Sequence, residues 1–291
     1  MVDSVPPDID LKSPPFDQLD GVHRLAVARS GHASWEHARH QLYVARDRRT
    51  RANVLIKLTT KPGLVYEHDL VNEIDTLTTI NRQLSASRHF PLLIEHGRLR
   101  DGRVYLTTTF FDEWPVATAI GPERLPHRMP VHLRAAIEIA RALRQLHGLK
   151  IWHVDLNPLN ILYRSTAGTP VIRIVDFESS YEVARHGKGV FYNPPTTSGY
   201  TAPELPGRTP DARSDVFSLG AVLYTLLAGH HWTLASDVGR SVGADHEIAP
   251  QLKTILLTAV AVDPHKRYPS VVALSAALSS YLDGLSTGPS W

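Results

Sequence analysis

The hydrophobic pattern changes its period partway along the chain, and that change constrains the fold more than any single motif. From His23 to about Phe111 the apolar residues recur as in strands, in runs such as Gln41 to Ala45, Asn53 to Leu58 and Val104 to Thr109. One helical stretch interrupts them: after the Pro62-Gly63 break, Leu70, Ile74, Leu77 and Ile80 follow at helical spacing. From about Met129 the texture becomes mainly helical. Leu133, Ile137, Ala140, Leu143 and His147 form one stripe, and Phe217 to Leu227 is apolar almost all round, as in a helix buried on every side. The pattern predicts an α+β chain with a small β-rich lobe and one helix over 21–111, then a larger, mainly helical lobe over 112–286. A cleft between two lobes is a natural ligand site. Residues 1–20, rich in Pro and Asp and without a sustained period, are expected to form a flexible arm, and 287–291 a short tail.

Composition narrows the classes. With 43% hydrophobic and 21% charged residues in 291, the chain has enough apolar material for a sizeable core and is neither fibrous nor disordered in composition. A net charge of +2 offers no basic face for nucleic acid. The absence of Cys excludes disulfides, thiolate metal sites and cysteine nucleophiles. The longest apolar run, Phe217 to Gly229, is too short and too interrupted to span a bilayer, and no signal peptide is visible. The expectation is a cytoplasmic protein without membrane insertion. Among 16 His, the pairs His37 with His40 and His230 with His231 lack a further ligand at a recognisable spacing.

Four segments carry residues that chemistry would need, each with a plainer reading beside it. Lys57 sits in the otherwise apolar Asn53-Val-Leu-Ile-Lys-Leu58, where an edge-strand lysine facing water is the plain alternative. Glu73 shares a broad helical face with Leu70, Ile74 and Leu77, where burial would require a partner; Lys57 can be that partner, with Glu67 as a possible substitute for Glu73. Trp152-His-Val-Asp-Leu-Asn-Pro-Leu-Asn-Ile-Leu162 sets Asp155, Asn157 and Asn160 around Pro158, which bars an ordinary helix interior; alone it reads as a turn. Ile172-Arg-Ile-Val-Asp-Phe-Glu178 ends a β-branched run in Asp176 and Glu178, oxygen ligands of the hard type that suits Mg²⁺, or simply a polar turn.

These pieces stand in one order: Val-Leu-Ile-Lys57, Glu73, His153-Val-Asp155-Leu-Asn-Pro-Leu-Asn160, Asp176-Phe-Glu178, Ala202-Pro-Glu204, Asp215-Val-Phe-Ser-Leu-Gly220 and Arg267. In that order the sequence resembles the eukaryotic-like (bacterial-type) serine/threonine protein kinases over roughly residues 22–285. The resemblance implies a bilobal kinase fold, ATP and Mg²⁺ as cofactors, and a protein substrate. It implies that Asp155 orients the attacking hydroxyl, that Asn160 and Asp176 hold the metal, and that Lys57, tethered by Glu73, binds the α and β phosphates. It places Thr108 as gatekeeper and Thr109, Phe110 and Phe111 at the adenine. His153 and the Glu204–Arg267 pair take structural roles. Asp215 bonds the catalytic-loop backbone in that family, a role compatible with capping the helix that follows. Thr197 falls where such kinases shape the substrate site.

The sequence also departs from the family pattern. Only Gly31 remains of the Gly-rich loop expected before Leu42; Val154 replaces an Arg; Asn157 replaces a Lys facing the γ-phosphate; and Glu178 replaces the Gly of Asp-Phe-Gly. Two alternatives therefore stay open beside a protein serine/threonine kinase. One is a pseudokinase or nucleotide-binding scaffold. The other is a small-molecule kinase of the choline or aminoglycoside phosphotransferase type, which Asp-Phe-Glu also resembles. With no Arg at 154 to receive an activation-segment phosphate, competence is expected to be set by nucleotide, by a regulatory partner or by the Gly31 to Arg39 loop.

Overall fold

Alternation along Asn53-Val-Leu-Ile-Lys-Leu-Thr59 sends Val54, Ile56 and Leu58 to one side of a sheet and Leu55 and Lys57 to the other. That strand, β3, is the centre of a five-stranded antiparallel sheet with β1 (Leu19–Arg24), β2 (His40–Asp47), β4 (Leu93–Arg98) and β5 (Val104–Thr109), in the order β1-β2-β3-β5-β4. A computed structural model describes residues 13–25, 40–119, 129–166, 169–189, 192–193, 195, 199–205, 207–229 and 235–287. The chain divides into two units, Met1–Glu113 and Trp114–Trp291, the first of which contains this sheet.

In the first unit, Val54, Ile56 and Leu58 pack with Tyr43, Ala45 and Tyr105 under Phe16, Leu19 and Val22. Phe16 is 2% exposed, with its ring edge-on to Tyr105 at 5.2 Å. From Ser13 onward the expected arm is thus built into the unit, and residues 1–12 lie outside the described residues. The other face carries helix α1 (Leu64–Gln83), whose Leu70 and Ile74 pack on Val104 and Leu106. The helix opens at Gly63, whose φ of 116° is readily available only to glycine. No side chain caps it; instead the Gly63 N–H donates to the Glu67 carboxylate at 2.9 Å.

In the second unit, α2 (Met129–Gly148) buries Leu133, Ala136, Ile139, Ala140, Leu143 and Leu146. The expected all-apolar helix is α4 (Ala212–Ala228), buried at every residue from Ser214 to Leu226. Asp211 and Ser214 form its capping box, and it ends at Gly229 in the left-handed region (φ 79°), so Asp215 is released from capping. Gly220 lets α4 approach α6 (Pro250–Ala259): a Cβ there would stand 2.8 Å from that of Ala259. Helices α5 (Ala235–Ala244) and α7 (Val271–Thr287) follow, and α7 packs along α2. Short strands frame the loops between α2 and α4. β6 (Trp114–Pro115), β8 (Ile161–Thr166) and β9 (Thr169–Ile174) form one sheet. β7 (Ile151–Trp152) pairs with β10 (Tyr181–Glu182), which leads into the single turn α3 (Val183–His186). Among the described residues no helix is long and apolar enough to cross a membrane.

Candidate active site

The first unit supplies a buried cation. Lys57 faces the α1 side of the sheet opposite Leu106 of β5, and its Nζ donates to Glu73 Oε2 at 2.7 Å. Only 9% and 6% of the two side chains are exposed, so the pair needs each other to remain charged. Glu67 does not substitute for Glu73, because its carboxylate is engaged by Arg98 at 2.6 and 2.7 Å. Thr108, paired with Leu55, is buried. The Thr109 N–H donates to the Leu92 carbonyl and the Phe110 N–H to that of Asn53, while Phe111 follows half-buried. A cavity of about 340 Å³ lies at this end of the sheet, lined by Leu25, Val44, Asn53 and Phe110 among others. Gly31 lies outside the described residues, as do Thr196, Thr197 and Ser198.

The second unit supplies the loop that follows β7. Its shape is imposed from α4: Asp215 accepts from the N–H groups of His153 (3.0 Å) and Val154 (2.8 Å) and from His147 Nε2 (2.8 Å). Held in this way, Val154 sits at φ 70°, a conformation a β-branched residue adopts only under constraint, and the Asp155 N–H closes back on the His153 carbonyl at 2.8 Å. Asn160 donates from Nδ2 to the Asp155 carbonyl at 3.0 Å, which fixes the amide with Oδ1 as its acceptor end. Asn157 works within the loop. Its amide donates to the Asp155 carbonyl (3.1 Å), and its Oδ1 accepts from the N–H groups of Leu159 (2.9 Å) and Asn160 (3.3 Å). Asp176 follows β9 at φ 66°, another left-handed position.

Burial and the negative charges of Asp176 and Glu178 push the Asp155 carboxyl up to about 8, against the hydrogen bonds from Asn157 and Asn160. Its side chain still reaches solvent in part. Three carboxyl groups converge in a region that a divalent cation would relieve, and Asn160 Oδ1 with the Asp176 carboxylate is a hard-oxygen donor set of the Mg²⁺ kind. Burial lowers the His153 pKa; its ring is fully enclosed against Phe177 at 5.1 Å and donates from Nε2 to the Val175 carbonyl at 3.2 Å. Glu204 and Arg267 form the structural pair that the sequence implied, at 2.7 Å. One contact went unread in the sequence: His147 belongs to the apolar stripe of α2, yet it donates to Asp215. A polar residue closing an otherwise apolar stripe was the available signal.

The sequence model for the protein kinase domain matches residues 41–279. Human ribosomal protein S6 kinase alpha-2 is 42% identical over 93 residues, which are 31% of this chain and 13% of that protein. Serine/threonine-protein kinase PknB of Mycolicibacterium smegmatis is 31% identical over 175 residues, 53% of this chain and 27% of that protein. These alignments therefore span less than a third of the relatives' lengths. Among solved structures, the Mycobacterium tuberculosis PknI kinase domain superposes with a TM-score of 0.59 at 19% identity, covering 90% of this chain and 96% of that one, which establishes the shared fold.

Proposed function

The chain belongs to the protein kinase family, and on that premise we propose that it transfers the γ-phosphate of ATP to a serine or threonine hydroxyl of a protein substrate. The observation that carries this reading is the loop held by Asp215. Two backbone N–H groups and a largely enclosed histidine converge on one carboxylate, which holds the left-handed turn at Val154 beside Asp155. Strain of that kind is maintained where geometry serves chemistry. Asp155 orients the substrate hydroxyl and receives its proton, Asn160 Oδ1 and Asp176 bind metal, and Asn157 holds the loop's shape. Lys57, steadied by Glu73, binds the α and β phosphates. Mg²⁺ at that donor set supplies the positive charge that the phosphates and the crowded carboxylates require.

The test combines binding and turnover. Mg²⁺ with ATP should raise the melting temperature, because a ligand bound only to the folded state stabilises it, and Asp176→Ala should remove the shift. Labelled ATP supplied with generic protein substrates should label protein. Labelling of small alcohols instead would replace this reading with a small-molecule kinase. Binding without any transfer would replace it with a nucleotide-binding scaffold.

A further inference from the structure

Glu73 can serve Lys57 only while α1 keeps its place along the sheet, so what fixes the helix matters as much as the pair itself. Near its start, Glu67 receives Arg98 of β4 through two parallel bonds, Nη1 to Oε1 at 2.6 Å and Nη2 to Oε2 at 2.7 Å. Arg98 Nη1 also donates to the Gly102 carbonyl at 2.6 Å, tying the guanidinium to the β4–β5 turn. Near the other end of the helix, the Asn81 amide donates to the Pro91 carbonyl at 2.9 Å while its Oδ1 accepts from the Leu93 N–H at 2.6 Å. Leu93 and Arg98 are the two ends of β4.

The spans match. Fourteen residues of helix between Glu67 and Asn81 rise roughly 21 Å, and the strand and approach from Pro91 to Arg98 extend roughly 23 Å. Both contacts are met in one alignment, with Glu73 between them. Sliding the helix by one turn, about 5.4 Å, breaks both together. Each bond is directional, and the arginine fork adds geometry to charge. The Glu67 carboxyl is held down at about 2, first by Arg98 and then by the Gly63 N–H, so this contact stays ionised across the neutral range.

We propose that Arg98 with Glu67, and Asn81 with the Pro91–Leu93 backbone, latch α1 to β4 at both ends and so hold Glu73 on Lys57 without help from a partner protein or a phosphate. Glu67, Arg98 and Asn81 are then positioning residues. Their effect on catalysis rests on the phosphate-binding role proposed for Lys57; their effect on the lysine itself does not.

Acylation of the full chain with acetic anhydride, read as the rate of Lys57 modification by peptide mass spectrometry, tests the latch without requiring turnover. Modification proceeds through the minor state in which the pair is open, so it registers any shift of that equilibrium. Arg98→Met and Glu67→Gln should each speed Lys57 modification about fivefold, the factor set by one partly exposed ion pair. The double variant should add nothing further, since both changes remove one interaction. Arg98→Lys should fall between wild type and Arg98→Met, and it takes over the test if Arg98→Met does not fold. Asn81→Ala should give a rise of its own. Tyr224→Phe, which removes a bond to Asp245 in the other unit, should leave Lys57 unchanged even if it lowers the melting temperature. Wild-type rates in the Arg98 and Glu67 variants, or an equal rise in Tyr224→Phe, would overturn the latch. A wild-type protein that transfers no phosphate, yet shows these rates, would overturn the proposed function and leave the latch standing.

Discussion

Lys57 meets Glu73 at 2.7 Å in the first unit, and Arg267 meets Glu204 at 2.7 Å in the second, with less than a tenth of any of the four side chains exposed. Depth and distance are the same, but the cations are used differently. All five N–H donors of Arg267 are bonded: Nε to the Ala261 carbonyl, Nη1 to Glu204 and the Arg213 carbonyl, and Nη2 to Glu204 and the Val262 carbonyl. Its guanidinium also lies 4.9 Å over the Phe217 ring. Ser214 adds a hydrogen bond to Glu204, so the pair staples α4 to the segments on either side of it. Lys57 presents a compact ammonium to the Glu73 carboxylate, on a flexible stem that suits a phosphate ligand. A buried ion pair is therefore not one kind of object. The planar fork consumed by carbonyls belongs to the scaffold, and the point charge on a strand facing a helix is the one proposed to bind phosphate.

The largest effect should come from the scaffold pair. Arg267→Met removes a buried cation and strands Glu204, which costs about 3–5 kcal/mol by the usual loss for one partner of a buried pair. Urea unfolding measures it, and a loss under about 1 kcal/mol would erase the contrast drawn above. Next comes Lys57→Met. Phosphotransfer should fall by about a hundredfold or more, the scale of losing one charged group from a transition-state site. Its urea midpoint should move less than that of Arg267→Met, and full activity in this variant would assign the phosphates to another cation.

A smaller effect separates the carboxylates by pH. Glu67 titrates near 2 in the folded protein against an ordinary 4.5, so its contribution to stability is complete above 4.5 and is lost as pH falls toward 2. The stability gap between wild type and Arg98→Met should close over that interval, as followed by thermal unfolding at successive pH values. A gap that stays constant would mean that Arg98 acts through packing. The smallest expected effect is none. Val154 is buried, uncharged and held by its N–H to Asp215, so nothing at that position recruits a phosphate. Phosphatase treatment, with loss of phosphate verified by mass spectrometry, should leave turnover unchanged. A large drop that rephosphorylation of Thr196 or Thr197 restores would reverse this expectation.

The parts of the site legible without the family resemblance are those written within a few residues of one another. His153-Val-Asp-Leu-Asn-Pro-Leu-Asn160 carries its own turn chemistry, and Asn157 and Asn160 close on Asp155 as such residues do. The period of the sequence changes between about Phe111 and Met129, and the chain divides after Glu113. Contacts across long separations were legible only where the family resemblance carried them, as for Lys57 with Glu73, Glu204 with Arg267 and Asp215 with the catalytic loop. Glu67 stood as an alternative to Glu73 because both lie on one helix, and nothing local shows that a residue 31 positions later claims it. Phe16 lies in a Pro- and Asp-rich stretch whose composition resembles an arm, yet one aromatic side chain seated on Tyr105 anchors it. β7 and β10 are two residues each, too short for any period to declare them.

Asp215 follows the groups it holds by 61, 62 and 68 residues. On a ribosome adding roughly 5–20 residues each second, the loop is synthesised some 3–12 s before its anchor exists. Until then His153 and Val154 have no carboxylate to bond, and the left-handed turn at Val154 has nothing to maintain it. The order of manufacture is therefore the reverse of the order of reading: the motif that announces the chemistry is made early, and its working shape waits for α4.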